Sequence, residues 1–185
     1  MGNSHAHPVF RTADLAAAVS TARQLIDLAD STDGEVSFEA TVSGARELER
    51  LRACMPPVTE FGYGQSPAIQ PATGATSVSP FPMFVSWTAQ PVGKLEDLFA
   101  AAVGKCPATL VWSRLRWPAV PALRLPAEDE HAHVSLSANS RQLHWDEPAP
   151  DHTVYIHDRQ GSYLRPQWLA EQIGLHLIGP PRLAQ

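Results

Sequence analysis

At 185 residues and 20.1 kDa, the chain is long enough for one domain that buries roughly 70% of its unfolded surface. With 44% hydrophobic and 18% charged residues it is too apolar to be disordered, and no apolar run approaches the ~20 residues of a membrane span. A net charge of −5 and a pI near 5.9 supply no global attraction to nucleic acid or to an anionic membrane.

The expectation is a soluble, cytoplasmic protein forming a single globular domain over 1–185. Residues 1–10 show no basic segment followed by an apolar one, so a secretory signal is not expected. Cys54 and Cys106 stand far apart without CxxC spacing, which excludes a disulfide-dense scaffold and a zinc finger and leaves two buried reduced thiols. Arginine outnumbers lysine twelve to two, the bias of a GC-rich bacterial genome. The 17 prolines, about 9% against a usual 5%, call for many turns and short elements.

In chain order, His5 and His7 fall in a terminus expected to be mobile. Leu15, Val19, Ala22, Ile26 and Ala29 recur at helical spacing, so 13–30 is predicted as an amphipathic helix with Thr12 as its cap. Asp33-Gly34 turns the chain into a strand over 35–42, with Val36, Phe38, Ala40 and Val42 on one face. A short charged helix follows at 45–54 and stops before Pro56-Pro57. From Phe61 to Gly93 no residue is charged, and the Pro-, Gly-, Ser- and Thr-rich part at about 56–82 reads as a long binding loop or as a loop packed on the core. A strand over 83–88, a helix from Leu95 stopped by Gly104, and a strand over 109–117 come next. Pro118, Pro121 and Pro126 extend the connector to three apparent strands at 131–138, 141–147 and 152–158. A last helix with Pro166 in its first turn runs to about Leu177. The fold class is α+β: a mainly antiparallel sheet with about four helices packed on one face, and a C-terminal three-stranded meander followed by a helix.

Five of the eight histidines lie between 131 and 157. With Asn139-Ser140 as a tight turn, apolar residues pair with apolar ones if Val134 opposes Trp145 and Leu136 opposes Leu143. His133 then meets Asp146, and Ser135 meets His144. Extending the register through a loop at 148–151 places His131, His133, His144, Asp146, Tyr155 and His157 on one face. Imidazoles beside a carboxylate suit general acid–base chemistry, with His133, His144, Asp146, Tyr155 and His157 as the catalytic set. The same face suits a Zn or Fe ion held by His131, His133 and His144. A solvated polar face of an antiparallel sheet explains the pattern without any function. His133-Val134-Ser135-Leu136 resembles one half of the paired His-x-Ser/Thr signature of the 2H phosphoesterases; no second copy follows, so the resemblance covers four residues.

Trp112, Arg114 and Arg116 alternate along their strand, in a stretch from Leu98 to Ala127 whose only charges are Lys105, Arg114, Arg116 and Arg124. Together with Tyr63 they make a candidate ligand-binding surface. Gly64-Gln65-Ser66-Pro67 is not a nucleophile elbow, because Pro67 removes the N–H needed as an oxyanion donor. Two functions are therefore expected. The first is a binding domain that engages a protein partner or small molecule through 61–93 and the Trp/Arg face. The second is a metal-dependent or His/Asp acid–base enzyme of hydrolase type on the histidine face.

Overall fold

The period-two pattern at 36–42 becomes a strand whose inward side chains, Val36, Phe38, Ala40 and Val42, are all fully buried. Burying each of the larger ones contributes roughly 1.5–3 kcal/mol. The computed structural model describes residues 4–30, 33–54, 60–62, 81–141, 143, 148–159 and 162–184. The elements follow as β1 (Ser4–Thr12), α1 (Leu15–Ile26), β2 (Glu35–Val42), α2 (Ala45–Cys54), β3 (Glu60–Gly62), β4 (Met83–Pro91), α3 (Leu95–Ala102) and β5 (Ala108–Ser113). They end with β6 (His133–Ala138), β7 (His152–Asp158), α4 (Leu164–Gln172) and β8 (Arg182–Ala184). All strand pairs are antiparallel, in the order β3-β4-β2-β5-β6-β7-β1-β8.

The helices share one face of this sheet. Ala22 and Leu25 of α1, Leu51 of α2, Phe99 of α3 and Leu169 of α4 belong to one core with Phe38, Leu110, Leu136 and Val154. Those last four are register partners across β2, β5, β6 and β7, so a single apolar row runs through the middle of the sheet. This is the α+β architecture that the sequence predicts, and its three-stranded C-terminal meander is β5-β6-β7 followed by α4.

Local chemistry sets the helix ends. Asp14, not Thr12, caps α1: its Oδ1 accepts from the N–H groups of Ala16 (2.9 Å) and Ala17 (3.2 Å), while the Thr12 hydroxyl accepts from Asp14 N–H. The C-terminus of α3 is capped by a side chain from α2. Arg50 donates to the carbonyls of Ala102 (2.8 Å) and Val103 (3.2 Å), and Gly104 makes the left-handed turn at φ +53° directly against that guanidinium. The Cys106 thiol, also beside Arg50, is pushed up to about 11, first by burial and then by the Glu47 carboxylate. Cys54 is half-buried, and both cysteines are reduced.

Two expectations are corrected. The N-terminus is not a mobile tail, since β1 lies inside the sheet between β7 and β8 and His7 is fully buried. Its partners are about 150 residues away in sequence, so no local pattern announces them. The expected strand over 141–147 also does not come between β6 and β7, which pair directly; residues 142 and 144–147 lie outside the described residues, and Ser140 and Pro148 form an antiparallel bridge. Alternating apolar residues in 141–147 satisfied a hairpin register equally well, yet Leu136 finds its apolar partner in Val154.

Candidate functional site

The face of the sheet turned away from the helices is polar where β6 meets β7. Alternation sends His133, Ser135 and Ser137 to this side, and the register sets them opposite His157, Tyr155 and Thr153. Five of these six are buried, and His133 is partly exposed. The connection between the strands covers part of the face: Leu143 packs with Ala6 of β1, Tyr155 and Ala184 of β8 in a small second cluster.

The histidines are organised by contact with each other. The His133 and His157 rings stack, with centroids 3.8 Å apart and planes 26° apart. Ser135 Oγ and His157 Nε2 share a hydrogen bond of 2.7 Å, and Trp117 Nε1 donates to the His157 carbonyl at 3.0 Å. Burial lowers the His133 pKa to about 4, with the nearby His131 charge acting in the same sense and a hydrogen bond to the His131 backbone acting against it. His133 is therefore neutral near pH 7 and acts as an acceptor or base, not as a cation.

The phenol of Tyr155 occupies the centre of the face. Its ring is fully buried, and neither its Oη nor the Ser137 Oγ has a hydrogen-bond partner among the described residues. The Thr153 hydroxyl, which accepts a hydrogen bond from Arg11 Nε at 3.1 Å, is close enough to the phenol to act on it, in the sense that lowers its pKa. Burial raises the Tyr155 pKa, opposed by the positive charges of Arg182 and Arg11. Arg182 donates to the Arg141 carbonyl at 3.3 Å, and Arg141 Nε lies 3.6 Å from Asp151 Oδ1. The charges of Arg11, Arg182 and Asp151 all act on the buried phenol, and Arg141 sits beside Asp151.

Of the residues singled out in the sequence, the structure unites His133, Tyr155 and His157. His131 lies just before β6, close enough for its charge to act on His133. His144, Asp146 and Tyr63 fall outside the described residues. Among the described residues, no group of three His, Cys, Asp or Glu side chains is arranged to hold a metal. On this face, where Ser137 also lies, the sequence pattern placed Ser135 without giving it a catalytic role. It missed Arg11, Arg141, Arg182 and Asp151, whose proximity depends on β1 and β8 pairing beyond β7.

The Trp/Arg face does not form. Trp112 points to the helix side, fully buried, and its Nε1 donates to Glu96 Oε1 at 2.9 Å. The strand ends at Ser113 because Arg114 turns left-handed at φ 55°, so the alternation expected through 117 breaks and Leu115 and Trp117 turn inward. Arg114 and Arg116 remain exposed, with Arg114 Nε 3.1 Å from Glu35 Oε2. Elsewhere, Glu128, Asp129, Glu130, Arg159 and Arg165 border a cavity of about 200 Å³. Both of its guanidinium groups are committed, Arg159 to Glu130 and the buried Arg165 to Glu128 and to the carbonyls of Pro118 and Pro126. His7 pairs with Asp158 (Nε2 to Oδ1, 3.3 Å) on the helix side, apart from the stacked pair.

Among the described residues, no helix is long and apolar enough to cross a membrane. No protein-family model, curated protein or solved structure matches the chain.

Proposed function

We propose that this chain is a small-ligand-binding domain whose site is the polar sheet face around Tyr155, Ser137 and the stacked pair His133–His157. The carrying observation is that two fully buried hydroxyls, Tyr155 Oη and Ser137 Oγ, lack hydrogen-bond partners among the described residues. A buried hydroxyl left unsatisfied costs roughly 1–3 kcal/mol, and two on one face beside arginines suit a bound polar molecule. The small-molecule half of the binding expectation is kept. Its place moves to the histidine face from the Trp/Arg strand, where Trp112 is a core residue, and from the 61–93 segment, of which 63–80 lie outside the described residues.

Thermal unfolding of the full chain against phosphate, carboxylate, amine and sugar ligands tests this reading. A ligand present at about 100 times its Kd adds roughly 2.7 kcal/mol to stability. The shift is expected in the wild type and is expected to shrink in Tyr155→Phe and Ser137→Ala. No shift with any class, or equal shifts in both variants, overturns the proposal.

A second reading is favoured by one contact, the 2.7 Å hydrogen bond between Ser135 Oγ and His157 Nε2. It is the nucleophile-and-base distance of an acid–base hydrolase, in which Ser135 would attack an acyl carbon while its proton passes to His157. A serine-reactive fluorophosphonate should then label the wild type and not Ser135→Ala, and labelling should fall steeply in His157→Gln. Labelling that survives Ser135→Ala removes this reading.

A further inference from the structure

We infer that the ligand of the polar face is a small oxyanion, a carboxylate or a phosphate, held by Arg11 and Arg182 with the Tyr155 and Ser137 hydroxyls as buried donors. This rests on the ligand-binding reading above and names its ligand class. The register carries the placement. Arg11 faces Thr153 across β1 and β7, and Arg182 faces Ala6 across β1 and β8, so both arginines stand on the same sheet face as Tyr155. Ala6 in turn packs on the Tyr155 ring.

The donor inventory points to a negative ligand. Arginine and an un-ionised phenol both offer N–H or O–H, and burial keeps the Tyr155 phenol protonated near neutral pH. Asp151 is the nearby carboxylate, and it is drawn toward Arg141. Arg11 spends its Nε on Thr153 and Arg182 spends one Nη on the Arg141 carbonyl, which fixes both side chains while leaving further N–H groups to each guanidinium. Both arginines are exposed whereas Tyr155 is buried, so charge reaches solvent at one end of the site and a fixed hydroxyl terminates the other. A carboxylate or a phosphate between the two guanidinium groups also accepts from the phenol, whereas a cation would be repelled by Arg11 and Arg182 and would find the Asp151 carboxylate already drawn to Arg141.

The test is calorimetric titration of the full chain with inorganic phosphate and, separately, with acetate, in a buffer free of both anions. Saturable binding of at least one is expected, weakening as salt is raised. Arg11→Gln with Arg182→Gln should weaken it at least about tenfold, and Arg11→Lys with Arg182→Lys should restore part of the loss. Binding of phosphate alone or of acetate alone assigns the anion. If neither binds while an amine or sugar shifts the melting temperature, the oxyanion inference falls and the ligand-binding reading stands. If no ligand class has any effect, both fall. Undiminished anion binding in the double Gln variant, with its fold confirmed by circular dichroism, overturns the assignment to these arginines.

Discussion

Replacing Tyr155 with Phe removes a single oxygen from the middle of the polar face and leaves the ring packed on Ala6, Leu143 and Ala184. An ordinary buried hydroxyl donates a hydrogen bond, and deleting it costs about 1 kcal/mol. Here the oxygen is buried without a hydrogen-bond partner among the described residues, so the ligand-free chain holds it at an energetic cost. Tyr155→Phe should therefore leave the stability of the unliganded protein unchanged or raise it by up to about 2 kcal/mol. For 185 residues the unfolding entropy is roughly 0.4 kcal/mol/K, so the melting temperature should rise by between 0 and about 5 °C. The assay is calorimetric unfolding at pH 7, after native mass spectrometry has confirmed that no small molecule co-purifies. A fall of more than about 2 °C would show that the hydroxyl is already satisfied, and the case for a ligand there would lose its footing. In the presence of a saturating ligand the sign should reverse, because the variant loses a donor that the wild type uses.

Three further outcomes follow from other parts of the molecule. His133 has a pKa of about 4 in the folded chain against 6.5 unfolded, so between those values only the unfolded state takes the proton. Its contribution, at most roughly 3 kcal/mol, is complete above pH 6.5 and is lost as the pH falls toward 4. His152, whose pKa is also lowered chiefly by burial, acts in the same direction. Urea unfolding at pH 7 and pH 4.5 should give a smaller pH-dependent loss in His133→Phe than in the wild type, and equal losses would refute the assignment. Gly104→Ala should destabilise by about 2 kcal/mol, because the added methyl sits in a left-handed conformation and meets the Arg50 guanidinium at 2.5 Å, displacing the α3 cap. A change below about 0.5 kcal/mol would disprove that coupling. Trp112→Phe takes one donor from the fully buried Glu96 carboxylate, which also accepts from Gly93 N–H, and should cost about 2–3 kcal/mol in chemical unfolding. Glu96→Gln in that background should recover part of the loss.

Elements that bury one face against the core were legible from their own period. β2 spans Glu35–Val42, α2 spans Ala45–Cys54 and β7 spans His152–Asp158, all as their alternation or helical spacing predicts. Strands defined by distant partners were not. The apolar positions of β1, Ala6, Val9 and Phe10, are broken by a bulge between Pro8 and Phe10, and no partner lies within 100 residues. The hairpin register at 131–147 was internally consistent yet false, since pairing apolar side chains does not distinguish a neighbouring strand from one a loop further on. Even so, parity survived the error. Removing a whole intervening strand left His133, Tyr155 and His157 on a common face, because side-chain direction depends on position within each strand and not on which strand lies beside it. The arginines escaped notice for a related reason: positions 11, 141 and 182 come near one another only once β1 is laid against β7 and β8 against β1.

The position of β1 has a consequence for synthesis on the ribosome. Its neighbours are β7 and β8, so Ser4–Thr12 is translated well before the residues it hydrogen-bonds, 152–158 and 182–184. At typical elongation rates the interval between Thr12 and His152 is on the order of 10 s, during which the edge of β1 has no native partner to cover it. Closure of the sheet must then await synthesis of residues 152–184. Loss of the final strands would expose β1 along its length, so a nascent or truncated chain would present a sticky edge where the finished protein has an interior strand.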